Sequence, residues 1–197
     1  TFLGCASVLS EADMGAEKTA AAKILYVEGY LWDAPSTKAA IRAAIAHAKA
    51  ASRKVALTLS DSFCVGRWRD EFKALLAHDV DIVFANETEA KALYETESFD
   101  RAFQEFRKWG KTAAITRSAH GSVVTEGGHV HILDADPVAR VEDTTGAGDQ
   151  YAAGFLFGYA RAMPLDVCGR LGGLAAAEVI GHIGPRPQTS LKSLAAK

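Results

Sequence analysis

The chain has 197 residues, of which 49% are hydrophobic and 23% charged, with a formal net charge of −2. That is enough apolar material for a core, and it leaves no basic surplus for binding nucleic acid or an anionic membrane surface. No apolar run approaches membrane-spanning length and no leader pattern opens the sequence, so a cytoplasmic protein is expected, with reduced thiols at the widely spaced Cys5, Cys64 and Cys168.

Strand and helix signals alternate along the chain. Residues 23–28 (KILYVE) predict a buried strand ending at Gly29, and the alanine-rich stretch 37–51 predicts a helix. Residues 54–59 (KVALTL) predict a second strand, followed by a helix around 69–77. Residues 81–85 (DIVFA) predict a third strand that runs into a helix over 87–94. An amphipathic helix follows at 99–109, with Phe99, Phe103 and Phe106 on its core face. Residues 112–116 predict a fourth strand, and 122–125 and 129–133 flank Gly127-Gly128, a hairpin signal. Helices are predicted over 149–162, 165–182 and 191–195, punctuated by Pro164, Pro185 and Pro187. This alternation predicts an α/β fold with a parallel sheet covered on both faces, in one domain over 1–197, with ligands at the carboxyl ends of the strands.

The most informative stretch is Asp143-Thr144-Thr145-Gly146-Ala147-Gly148-Asp149. A glycine-rich turn feeding a helix exposes backbone N–H groups where the helix dipole is positive, so an anion fits there. No lysine follows Gly148, which excludes a P-loop, and Tyr151 occupies the third small-residue position of a dinucleotide fingerprint. A carboxylate at Asp149 would repel a passively bound phosphate. It makes chemical sense as a base that takes a proton from an alcohol attacking that phosphate. The plainer reading is a glycine turn with Asp149 as a helix cap.

Asn86 stands directly after the third strand with Glu89 three residues on, a capping arrangement that needs no ligand. Thr116-Arg117-Ser118-Ala119-His120-Gly121 reads as a surface turn after the fourth strand. His129 and His131 alternate along one strand with no third ligand nearby, which predicts a solvated face.

The full heptad closely resembles the C-terminal signature of the PfkB family of carbohydrate and nucleoside kinases, and the resemblance runs from Thr1 to about Leu194. The segments Glu28-Gly29-Tyr30-Leu31 and Leu57-Thr58-Leu59-Ser60-Asp61-Ser62-Phe63 look more like its adenosine-kinase branch. The resemblance implies a three-layer α/β/α ribokinase-like fold and ATP-dependent phosphorylation of a sugar or nucleoside hydroxyl. It implies Asp149 as base and Gly146, Ala147 and Gly148 as the phosphate turn, with Asn86 and Glu89 positioning Mg2+ largely through water. It also implies that Thr116, Arg117, Gly121, Asp143, Thr144 and Gly184 belong to the nucleotide site, that carbonyls near Asp143 hold K+, and that the helix carrying Leu174 to Val179 walls the adenine. In the family, a substrate-binding lid and a Gly-Gly motif precede these parts. This chain opens at Thr1 with its first methionine at Met14, so a processed product or fragment without that portion is expected. Sheet edges left uncovered would favour self-association, such as a homodimer. The rival reading is a non-catalytic nucleotide-binding module.

Overall fold

The computed structural model describes residues 4–194 and divides the chain into two compact units, 1–112 and 113–197. The expected helix end at Ala195 lies outside the described residues.

The first unit carries β1 (Ile24–Glu28), β2 (Lys54–Thr58) and β3 (Ile82–Asn86), with parallel pairing of β1 to β2 and of β2 to β3. Val55, Leu57, Ile82 and Val83 are all but inaccessible, as unbroken apolar runs in a sheet covered on both faces should be. The crossovers are α2 (Pro35–Ala50) and α3 (Ser62–His78), after a short α1 (Ala16–Ala21) that the sequence pattern does not announce. Proline at the start of α2 suits a position whose N–H has no helical partner. Helix α3 begins seven residues before the expected 69, because Asp61 caps it by accepting the Cys64 N–H at 2.8 Å. Non-helical angles at Trp68 kink it there, which hid its first two turns from a periodicity argument. Trp32 and Phe72 anchor the core, ring centroids 6.1 Å apart. Helix α4 (Glu87–Leu93) leaves β3 without a loop. Helix α5 (Phe99–Trp109) buries Phe103 and Phe106 and ends on Gly110 in the left-handed region.

In the second unit, β4 (Thr112–Thr116, of which Thr112 is the last residue of the first unit), β5 (Ser122–Glu126) and β6 (His129–Leu133) pair antiparallel in sequence. Gly127 and Gly128 both have positive φ, which a two-residue hairpin of this twist requires. One face of β6 meets solvent, with Ile132 75% exposed. Helix α7 (Leu165–Ile180) covers β5 and β6, and α6 (Ala147–Tyr159) packs along α7. The two helices approach so closely that a Cβ on Gly172 would sit 2.8 Å from the Tyr151 carbonyl. A four-residue α8 (Leu191–Leu194) ends the described chain. No helix among the described residues is long and apolar enough to cross a membrane.

Candidate active site

The carboxyl ends of the three parallel strands gather acidic groups. At the end of β3, Asn86 Oδ1 accepts the Glu89 N–H at 2.8 Å. Glu89 returns the contact: Oε2 accepts the Asn86 N–H at 3.0 Å and Oε1 accepts from Asn86 Nδ2 at 2.6 Å. Glu89 is only 5% exposed. Burial pushes its carboxyl up to about 7 against the pull of the Asn86 N–H, and the charges of Asp61 and Glu28 add to the rise. Ser60, in the left-handed region at φ 70°, ties the other two strand ends together. Its hydroxyl accepts the Tyr30 N–H and donates to Glu28 Oε2, each at 3.3 Å. Burial and then Asp61, Glu89, Cys64 and Glu28 raise the Tyr30 phenol.

These groups feel one another's charge without forming a cage. Among the described residues no three His, Cys, Asp or Glu side chains stand close enough to hold a metal ion. Both Glu89 oxygens are engaged by Asn86, so the pair fits a magnesium ion approached through water and not one bound directly.

In the second unit the heptad forms the start of α6. Gly146 is the N-cap residue at φ 81°, a conformation that disfavours any side chain, and a Cβ there would also lie 2.6 Å from Pro185 Cβ. The Ala147 N–H donates to the Thr144 carbonyl at 3.2 Å and the Gln150 N–H to the Gly146 carbonyl at 2.9 Å. The two amides between them, of Gly148 and Asp149, have no partner among the described residues. Gly148 faces open space, since a Cβ built there would meet nothing within 4 Å. Two unpaired N–H groups at a helix start with free volume above them fit a phosphate. The Asp149 side chain reaches solvent, yet desolvation by surrounding protein raises its carboxyl above the ordinary aspartate value.

Asp143 holds the loop before the turn. Its Oδ1 accepts the Thr145 N–H at 2.9 Å and its Oδ2 the Gly184 N–H at 3.0 Å. Thr145, through side chain and backbone, and then Gly184 hold its carboxyl below the ordinary value. The 116–121 segment closes on itself, the Arg117 N–H donating to the Gly121 carbonyl at 2.7 Å. Gly121 has φ 71°, and a side chain there would collide with the Leu133 carbonyl, so the fold itself demands glycine.

The structure thus joins Asn86 and Glu89 to Glu28, Ser60 and Asp61 in one unit. In the other it joins Asp143, Gly146 and Gly184. Thr116, Arg117 and Gly121 form a separate turn, and Thr144 supplies a carbonyl to the heptad turn. The sequence reading had noted the Glu28 and Asp61 segments without assigning them a site. Their signal was position, Glu28 ending β1 and Asp61 lying just past β2.

A parallel α/β unit with acidic strand ends, and a glycine-built helix start with free amides, are features that would suit an α/β protein handling phosphate. The chain belongs to the pfkB family of carbohydrate kinases, whose model matches residues 2–191. It is similar to the adenosine kinase of Sinorhizobium meliloti, with 52% identity and a TM-score of 0.92 over 95% of this chain and 58% of that one. A probable sugar kinase of Rhizobium etli gives 46% identity and a TM-score of 0.94 over 96% of this chain and 58% of that one. The cytidine kinase of Thermococcus kodakarensis is 39% identical over 119 residues, covering 59% of this chain and 42% of that protein. These relatives carry the ribokinase-like α/β fold expected from the sequence. The chain spans about half the length of the curated relatives it matches, 42% and 50% of the cytidine kinase and of an Arabidopsis thaliana adenosine kinase.

Proposed function

We propose that the chain is the nucleotide-binding and catalytic-base part of an ATP-dependent phosphotransferase acting on a hydroxyl of a nucleoside or sugar, with adenosine the first acceptor to try. One observation carries the reading: the unpartnered amides of Gly148 and Asp149 share a helix turn with a carboxylate.

In this reading the turn built by Gly146, Ala147 and Gly148 stabilises negative charge on the transferring phosphoryl group through its N–H groups. Ionised Asp149 accepts the proton of the acceptor hydroxyl as its oxygen bonds to phosphorus, and ADP leaves with the electron pair of the broken P–O bond. A magnesium ion, when bound, would supply positive charge to offset that of the phosphate oxygens, and Asn86 and Glu89 would hold it through its water. Asp143 shapes the loop by holding Thr145 and Gly184. Thr116, Arg117, Gly121, Thr144 and Gly184 border the nucleotide, and carbonyls beside Asp143 take potassium. A cytoplasmic location fits a protein that draws on ATP.

The second reading is nucleotide binding without turnover. One experiment separates the two: calorimetry with ATP and Mg2+, alongside ADP release in the presence of adenosine, cytidine or ribose. Acceptor-dependent ADP release supports the kinase. ATP binding without release supports the second reading, and no ATP binding overturns both.

A further inference from the structure

Residues 184–189, past α7, return toward the start of α6 and are fastened at three points, two at that start and one on α7. Asp143 Oδ2 accepts the Gly184 N–H at 3.0 Å. Gln150 Nε2 donates to the Pro185 carbonyl at 3.3 Å. Glu178 Oε1 accepts both the Gln188 N–H at 2.8 Å and the Thr189 N–H at 2.7 Å. Between these points Pro185 lies against Gly146, in the space a Cβ would need.

Glu178 is an unusual residue to find so placed. Its side chain is 8% exposed, on a helix otherwise rich in glycine and alanine. A buried carboxylate is unfavourable unless hydrogen bonds replace its water. Here one oxygen holds two backbone amides and the other lies 3.4 Å from His182 Nε2. Burial alone would raise its carboxyl, but the Thr189 and Gln188 amides and His182 overcome that and hold it below the ordinary value. Every contact of this carboxylate goes to the returning segment or to the residue that leads into it.

We propose that residues 184–189 are a strap that sets the geometry of the phosphate turn, and that Glu178 is its anchoring, positioning residue. Glu178 touches no reacting group. It holds the strap, the strap holds Pro185 against Gly146, and Gly146 fixes the direction in which the Gly148 and Asp149 amides point. The inference rests on the phosphate-turn reading for its purpose and on the second unit alone for its geometry.

The test reads the turn without nucleotide. The Ala147 and Gln150 amides are hydrogen-bonded within the turn, so their exchange with solvent reports whether it keeps its shape. In Glu178→Ala both should exchange about 10-fold faster while β5 amides keep parental protection, and ATP–Mg2+ affinity by calorimetry should weaken about 10-fold, the usual scale for losing an outer partner of a site. Glu178→Gln keeps an acceptor oxygen and should restore both. Should Glu178→Ala fail to fold, Gln150→Ala loosens the strap from the exposed side and should accelerate Ala147 exchange. The proposal is overturned if the folded variants lose protection at Gln188 and Thr189 yet keep it at Ala147. A parent chain that binds no ATP would overturn the kinase reading, while the exchange data would still decide this one.

Discussion

Glu89 folds back onto the residue that caps its own helix: its Oε2 takes the Asn86 N–H at 3.0 Å while Asn86 Oδ1 takes the Glu89 N–H at 2.8 Å. The reciprocal pair satisfies two donors of the α4 start and buries a carboxylate beside Asp61 and Glu28. Its carboxyl lies near 7 in the folded chain, against an ordinary value of 4.5. Between those values the folded state holds a proton that the unfolded state has released. Stability from this group is therefore present below the lower value and lost as pH rises through the upper one. A shift of this size corresponds to on the order of 3 kcal/mol. Glu89→Gln, which retains an acceptor for the Asn86 amide, should remove that slope. Denaturation midpoints from pH 5 to 8 check it: the parent should lose stability relative to the variant as pH rises, and a constant difference would refute the assignment.

Asp149→Asn keeps the size of the side chain and removes the proton acceptor. Acceptor-dependent ADP release should fall by about 10²–10⁴-fold, the usual contribution of a general base. ATP affinity should hold or improve, because a charge beside the phosphate is gone. The acid limb of the parental pH–rate profile should lie above the ordinary aspartate value, following the direction in which desolvation moves Asp149. Turnover near the parental level in this variant would remove Asp149 from the mechanism.

The two glycines of the turn should respond oppositely. Gly146→Ala forces a side chain into φ 81° and onto Pro185, so it should destabilise the fold by more than about 1 kcal/mol. Gly148→Ala adds a methyl in open space on a helical residue and should stabilise the fold, by up to about 1 kcal/mol. Its effect should fall on nucleotide affinity, since the methyl enters the volume above the free amides. Thermal melts paired with calorimetry decide between this pattern and a purely architectural turn.

Tyr151 carries α6 to β5: its phenol donates to Ser122 Oγ at 2.8 Å, and both residues are buried. Tyr151→Phe should cost about 1 kcal/mol, with the Ser122 hydroxyl left without that partner. Adding Ser122→Ala should recover part of the loss, because no stranded polar group then remains. Urea titrations of the two single variants and the double variant measure the coupling.

What the sequence disclosed tracks how local the cause was. Residues 99–109, 112–116 and 129–133 carry their patterns within themselves and fold over those same spans. The Asn86–Glu89 cap was legible because its partners are three residues apart. The start of α3 was missed because Trp68 breaks the helical period and the decisive contact is a cap at Asp61. In the candidate site, the heptad announced a glycine turn with free amides by spacing alone. The hold of Asp143 on Gly184 spans 41 residues, and the grip of Glu178 on Thr189 joins a helix to an irregular segment. Neither leaves a periodic trace. That the fold also requires glycine at 121, through the collision of any side chain there with the Leu133 carbonyl, is knowable only once β5 and β6 are paired.

The order in which these parts leave the ribosome follows from where the strap lies. Residues 143–149 emerge well before 184–189, yet the turn is braced only when Pro185 reaches Gly146 and the Gly184 N–H reaches Asp143. During synthesis the free amides of Gly148 and Asp149 therefore exist for a time at an unbraced helix end. The brace on the turn comes only after the three parallel strands and both long helices of the second unit have been made.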